Sequence, residues 1–147
     1  MAVTKFLAPV FGPSFRSTAL GGLKSARAKY RFALDGGAAT LITPKINATI
    51  PDNSILVAAF INSTVAVTST GTANVSVGLS AGSTGAAALL AATAKASLSL
   101  DALLVGVPTP AVPVKLTAAA TITVTPDTTA LSAGEIEVTV FYFEASA

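Results

Sequence analysis

From Lys29 to the C-terminal end, apolar and polar residues alternate with period two, and clusters of Gly, Pro, Asp and Asn break the alternation at intervals. Successive side chains of a strand point to opposite faces, so this pattern predicts half-buried β-strands. Tyr30, Phe32 and Leu34 point one way and Lys29 and Arg31 the other. Asp35-Gly36-Gly37 is a turn signal, Ala38–Thr43 and Ile46–Ile50 are short strand candidates, and Pro51-Asp52-Asn53 is a second turn. In the run Ser54–Thr68, Ile55, Val57, Ala59, Ile61, Val65 and Val67 share one face, interrupted by Ser63, with Asn62, Thr64 and Thr68 opposite. Thr72–Leu79 repeats the pattern, and the two runs around a short polar link predict a hairpin.

Beyond Leu79 the pattern weakens. Residues 80–85 read as a loop, and Ala86–Ala94 fits a short helix or a strand, so 80–102 is read as a loop holding a short strand or a turn of helix. Order returns with the strand candidate Leu103–Val107. Val112–Leu116 and Ala120–Thr125 restore the alternation, and Pro113 places Val112–Leu116 at a sheet edge. Pro126-Asp127 is a further turn. In Glu135–Phe143, Ile136, Val138, Val140 and Tyr142 line one face, and Glu135, Glu137, Thr139, Phe141 and Phe143 the other. That second face starts acidic and ends with two Phe, so something beyond the core covers it: the N-terminal segment or a neighbouring subunit. About eight strands without a convincing long helix predict an all-β antiparallel sandwich of jelly-roll type.

The chain divides into an extended arm, 1–28, and a sandwich domain, 29–147. Pro and Gly punctuate the arm and neither period is sustained, yet Phe6, Leu7, Val10, Phe11 and Phe15 are large and apolar, unlike a disordered tail. These side chains either lie on a partner or tuck under the chain's own sheet. Residues 1–34 hold six cations and no acid, and the remainder holds three cations and seven acids. A basic leader on an acidic body suits an acidic protein surface or nucleic acid. Pro9, Gly12, Pro13 and Arg16 break the continuous apolar stretch of a secretory signal, and the two prolines spoil the helix of a transit peptide. The best candidate for a membrane span, 86–107, contains Lys95 and Asp101, so no membrane partner is expected.

Charged residues make 11% of the chain against roughly 25% in an ordinary domain. The 147 residues include no Cys, His or Trp. That excludes disulfides, thiol nucleophiles, His-dependent triads and His- or Cys-ligated zinc. Glu135 and Glu137 share a strand face, but a glycosidase pair flanks its bond from two elements roughly 5–10 Å apart in an aromatic cleft, so a solvated or interface face is the better account. Asp35, Asp52 and Asp127 sit in turn sequences, where such residues bond their own backbone. No calcium-loop spacing and no phosphate loop occurs, and Gly21-Gly22 before Lys24 is a flexible link. Asn47-Ala48-Thr49, Asn62-Ser63-Thr64 and Asn74-Val75-Ser76 match the glycosylation acceptor pattern, as chance allows in a chain rich in Thr and Ser. Lys24, Arg27, Lys29 and Arg31 could contact phosphates with Tyr30 and Phe32 stacking on bases. The reading preferred is a first strand whose cations meet acids on a protein. No enzyme activity, metal or cofactor is expected.

The stretch Ile42–Phe143 resembles the decoration, or cement, proteins of tailed-phage capsids. The residues that carry the likeness are Ile50-Pro51-Asp52-Asn53-Ser54-Ile55, Ala73-Asn74-Val75-Ser76-Val77-Gly78, Leu89-Leu90-Ala91-Ala92-Thr93-Ala94, Lys115–Thr121, and Leu131-Ser132-Ala133-Gly134 on to Tyr142. They cover about two thirds of the chain and are stylistic, not catalytic. The resemblance implies a non-enzymatic virion protein on the outer surface of the capsid. It implies a homotrimer that cements neighbouring major capsid protein subunits, with nucleic acid not expected as a partner. On this reading Phe6, Phe11, Phe15, Arg16, Lys24 and Arg27 form a capsid-docking arm, and Phe141, Phe143, Glu135 and Glu137 a subunit interface. The alternatives are a receptor- or glycan-binding fibre or spike module, and a small jelly-roll shell protein whose basic arm meets the genome.

Overall fold

The structure is a computed structural model, and it describes residues 22–81, 89–106 and 114–145. Ten strands form two antiparallel sheets. They are β1 Lys24–Arg31, β2 Ile46–Asn47, β3 Thr49–Ile50, β4 Ser54–Ser69, β5 Asn74–Leu79, β6 Leu90–Ala94, β7 Ala102–Gly106, β8 Val114–Lys115, β9 Ala120–Asp127 and β10 Leu131–Glu144. One sheet has the order β2-β1-β10-β4-β7, with β8 also paired to β4, and the other has the order β3-β9-β5-β6. The pairs β1 with β10, β3 with β9, β4 with β7 and β5 with β6 are nested one inside the next along the chain. The expected all-β antiparallel sandwich is observed.

The core lies between the sheets. Tyr30, Leu56, Ile61, Ile136, Val138 and Val140 face Ile50, Val75, Val77, Leu79, Ile122 and Val124, and the loop residues Leu89, Leu98 and Leu116 are buried in the same cluster. Alternation alone selects these residues in β1, β5, β9 and β10.

In β4 it does not. Leu56 pairs with Tyr142 but Ala58 pairs with Phe141, so Val57 is the extra residue of a bulge. Ser54 and Leu56 point inward before it, and Ala59 and Ile61 after it. Ile55 and Val57, expected on the core face, therefore lie outside it. A second register shift between Glu135 and Ile136 leaves Val65 outside as well. Ser63, expected as an interruption, stays buried, its Oγ 3.0 Å from the Leu98 carbonyl and 3.1 Å from that of Val65.

The expected hairpin of the Ser54–Thr68 and Thr72–Leu79 runs is instead an arch. β4 and β5 belong to different sheets, and residues 70–73 carry the chain across. Lys95 closes this arch. Its Nζ donates to the Ser69 carbonyl and hydroxyl, both at 2.9 Å, and to the Gly71 carbonyl at 2.6 Å. Lys95 is held there by a 3-10 turn, Lys95–Ser97, that follows β6, so the 90–97 stretch is strand and tight turn. At the opposite edge, β2 and β3 are one run that leaves the first sheet at Ala48 and joins the second.

Further local expectations are revised, among them the strand candidate Ala38–Thr43, which is irregular apart from a single bridge of Ile42 to Val124. Phe32–Asp35 is a single helical turn, not a continuation of β1, because the Asp35 carboxylate accepts from the Arg31 and Lys45 N–H groups and Gly36, at φ +77°, ends it. β9 runs through Pro126 and turns only at Thr128. Pro126 is tolerated because β3 reaches only Ala120 and Thr121, which among the described residues leaves one side of β9 without a strand there. Residues 24–28, expected in the arm, are the first part of β1, held by β10 from Lys24↔Tyr142 onward. The helix alternative for Ala86–Ala94 is not realised in its described part, which is β6.

Candidate interaction surface

The outer face of the larger sheet has two halves. Strand register defines its rows: Val105, Phe60, Thr139 and Arg27 stand side by side across four strands, and Leu103, Asn62, Glu137, Lys29 and Ile46 form the next row. Ala58, Phe141 and Ser25 form a third. The β4–β7 half is apolar, whereas the β1 half is charged.

In the charged half the ion pairs cross from β1 to β10. Lys29 Nζ lies 2.9 Å from Glu137 and 3.3 Å from Glu135. Lys24 Nζ lies 2.6 Å from Glu144, and Arg31 Nε 3.7 Å from Glu135. The hydrogen bond to Glu137 holds the Lys29 ammonium above its ordinary pKa, and the bond to Glu144 does the same for Lys24. Glu135 and Glu137 thus share one cation and do not face each other across a substrate. A concavity of about 200 Å³ over this half is lined by Arg27, Lys29, Ile46, Glu137 and Thr139. Among the described residues Arg27 has no ion-pair partner.

In the apolar half Phe60 and Phe141 pack edge to face with ring centroids 5.7 Å apart. Phe60 is 39% exposed, and Leu103 and Val105 are each 63% exposed. Phe143 is half-buried beside Ile55, opposite it on β4. The structure therefore brings Glu135, Glu137, Phe141 and Phe143 onto one face, as expected. Lys24 and Arg27 are strand residues of that same sheet, not part of an arm. Phe6, Phe11, Phe15 and Arg16 lie outside the described residues.

Phe60, Leu103 and Val105 escaped the sequence reading. Phe60 falls on the side of β4 read as polar. Leu103-Leu104-Val105 is apolar on both faces, the same signal that singled out Phe141 and Phe143. Two of the three turn acids serve the backbone: Asp127 accepts the Asn74 N–H at 2.9 Å, and Asp35 accepts those of Arg31 and Lys45, whereas Asp52 accepts from the Asn53 side-chain amide at 3.4 Å. Among the described residues no group of three or more acids, His or Cys could hold a metal ion, and no helix is long and apolar enough to cross a membrane.

The chain is thus a two-sheet antiparallel sandwich with one apolar and one charged half-face. Three solved structures share its fold. A chain of the "Cyanophage Pam1 capsid asymmetric unit" matches with TM-score 0.64 at 15% identity, covering 97% of each chain. One from the "Capsid of Ralstonia phage GP4" matches at 0.58 and 17%, covering 87% of this chain and 88% of that one. One from the "Acidic stable capsid structure of Helicobacter pylori bacteriophage KHP30" matches at 0.57 and 16%, covering 84% and 89%. Coverage is nearly equal in both directions, so each matched chain is close to this one in length. No protein-family profile and no curated protein matches the chain.

Proposed function

We propose that the chain is a non-enzymatic virion structural protein that binds the outer surface of a phage head and cements neighbouring major capsid subunits. The observation that carries this reading is the match of its fold, over 84–97% of the chain, to similarly small chains in three phage capsid structures. The nested strand pairing is that of a rolled antiparallel hairpin, which supports the jelly-roll reading, an architecture in use among viral capsid proteins. The outer face supports it too: a cement needs apolar contact area, and Phe60 and Phe141 offer aromatic anchors beside Arg27, which has no ion-pair partner among the described residues.

In this reading the chain acts as a homotrimer, with Phe141, Phe143, Glu135 and Glu137 near the seam. Residues before Gly22 act as the docking arm. Each of Phe6, Phe11 and Phe15 buried in a groove of the capsid protein contributes about 1.5–3 kcal/mol before ordering costs. Repetition over an icosahedral shell then slows shedding. The test is co-sedimentation of the purified chain with heads of the encoding phage that lack it. Full-length protein binds saturably, and a 22–147 chain stays folded but loses binding. The truncation stops at 21 because removing residues to 28 would cut into β1. Tight binding by the 22–147 chain would overturn the arm assignment, and no binding by the full chain would overturn the function.

A further inference from the structure

The larger sheet has two edges of opposite character. At one, β1 carries Lys24, Arg27, Lys29 and Arg31 and no acid. β2 covers it only at Ala28 and Lys29. Charge on an edge strand is how sheets discourage pairing with another chain. The opposite edge, β7, has the sequence Ala-Leu-Leu-Val-Gly. It has no charge, no proline and no register shift against β4. Among the described residues no strand lies on its far side.

We propose that β7 pairs with β7 of a second copy of this chain, antiparallel about a two-fold axis. Charge decides the occupant and the edge. Two β1 strands brought together would set cations against cations, which destabilises a sheet pair. Two β7 strands set only apolar residues opposite each other. With Leu104 at the axis, Leu103 of each copy stands beside Val105 of the other, on the face where both are exposed. The row Val105–Phe60 then continues across the boundary into the second copy. The contact is isologous and closes on itself, so it joins two molecules without growing a fibre. It is separate from the seam proposed at Phe141 and stands whether or not the chain belongs to a virion.

The chain has no cysteine, so an introduced one reports a single position. Leu103→Cys and Val105→Cys proteins, full length, are oxidised mildly, alone and as an equal mixture, with the exposed Ala130→Cys as the control. The expected result is a disulfide dimer formed at least about tenfold faster than in the control. A dimer only in the mixture places the axis at Leu104, and one from either single variant shifts it by one residue. Adding Val105→Lys to Leu103→Cys removes the dimer. Cross-linking at the control rate would overturn the proposal. So would a Leu103→Cys, Phe11→Cys double variant that closes within one molecule, which would give the edge to the residues before Gly22.

Discussion

Tyr30 links the first strand to the turn that follows it, and alkaline pH reads that link directly. The side chain is fully buried and its hydroxyl donates to the Gly36 carbonyl at 2.8 Å. Burial, reinforced by Asp35, pushes its pKa from 10.0 up to about 12. Below pH 10 the phenol is neutral in both folded and unfolded chains and contributes no pH dependence. Between about 10 and 12 the unfolded chain has lost the proton that the native chain retains, so stability falls as pH rises. At 1.36 kcal/mol per pH unit the full loss is about 2.7 kcal/mol. Tyr30→Phe removes that loss and also removes the hydrogen bond. Gly36 is exposed, so its carbonyl can turn to water, and the substitution costs about 1 kcal/mol at neutral pH. The wild type is therefore the more stable protein at pH 7 and the less stable one at pH 12, with the curves crossing at about pH 10.5–11. Urea unfolding at a series of pH values gives both curves. Tyrosinate absorbance, wild type minus Tyr30→Phe, isolates the titration, because Tyr142 is the other tyrosine of the two and is common to both. Loss of the Lys24 and Lys29 ion pairs above their raised pKa values is likewise common to both. A stability difference that stays constant from pH 7 to 12, or a Tyr30 that titrates near 10, would refute the reasoning.

Other substitutions test the frame around the face. Lys95→Met removes three donated bonds from the β4–β5 arch and lowers unfolding free energy by about 1–3 kcal/mol, measured in urea, with the m-value unchanged. Gly106→Ala places a Cβ 2.4 Å from the Leu89 carbonyl oxygen and 2.8 Å from Ile61 Cδ1, so it forces the β7 end off the second sheet and costs about 1–3 kcal/mol. Phe60→Lys loses the edge-to-face contact with Phe141 and lowers the unfolding free energy by about 0.5–1.5 kcal/mol in urea, leaving the fold intact, yet weakens attachment to heads in the co-sedimentation assay.

Legibility in the sequence followed how local the physics is. β1, β5, β9 and β10 could be read because the β1–β10 and β5–β9 ladders run without a register shift, so period two maps onto inside and outside. β4 could not, since an inserted residue, Val57, reverses the meaning of every position before it and further register shifts put Val65 outside. The arch was misread as a hairpin because both runs alternate. What separates them is Lys95, about twenty-five residues further on, binding the Ser69 and Gly71 carbonyls. Of the face, Phe141 and Phe143 were visible as apolar residues on the wrong side of a strand. Lys24 and Arg27 looked like arm residues because basic clusters carry no period, and only β10, with Glu135, Glu137 and Glu144, makes them a strand. Phe60, Leu103 and Val105 became one patch only through the pairing of β4 with β7.

The central claim is that the chain stabilises a phage head, and heat-driven DNA release measures that most directly. Heads of the encoding phage prepared without the chain, with it, and with it added back are warmed in steps while released DNA is followed by dye fluorescence. The account predicts that heads without the chain release DNA at a lower temperature and that added full-length protein restores the wild-type profile. Saturable binding with no shift in the release temperature would contradict it.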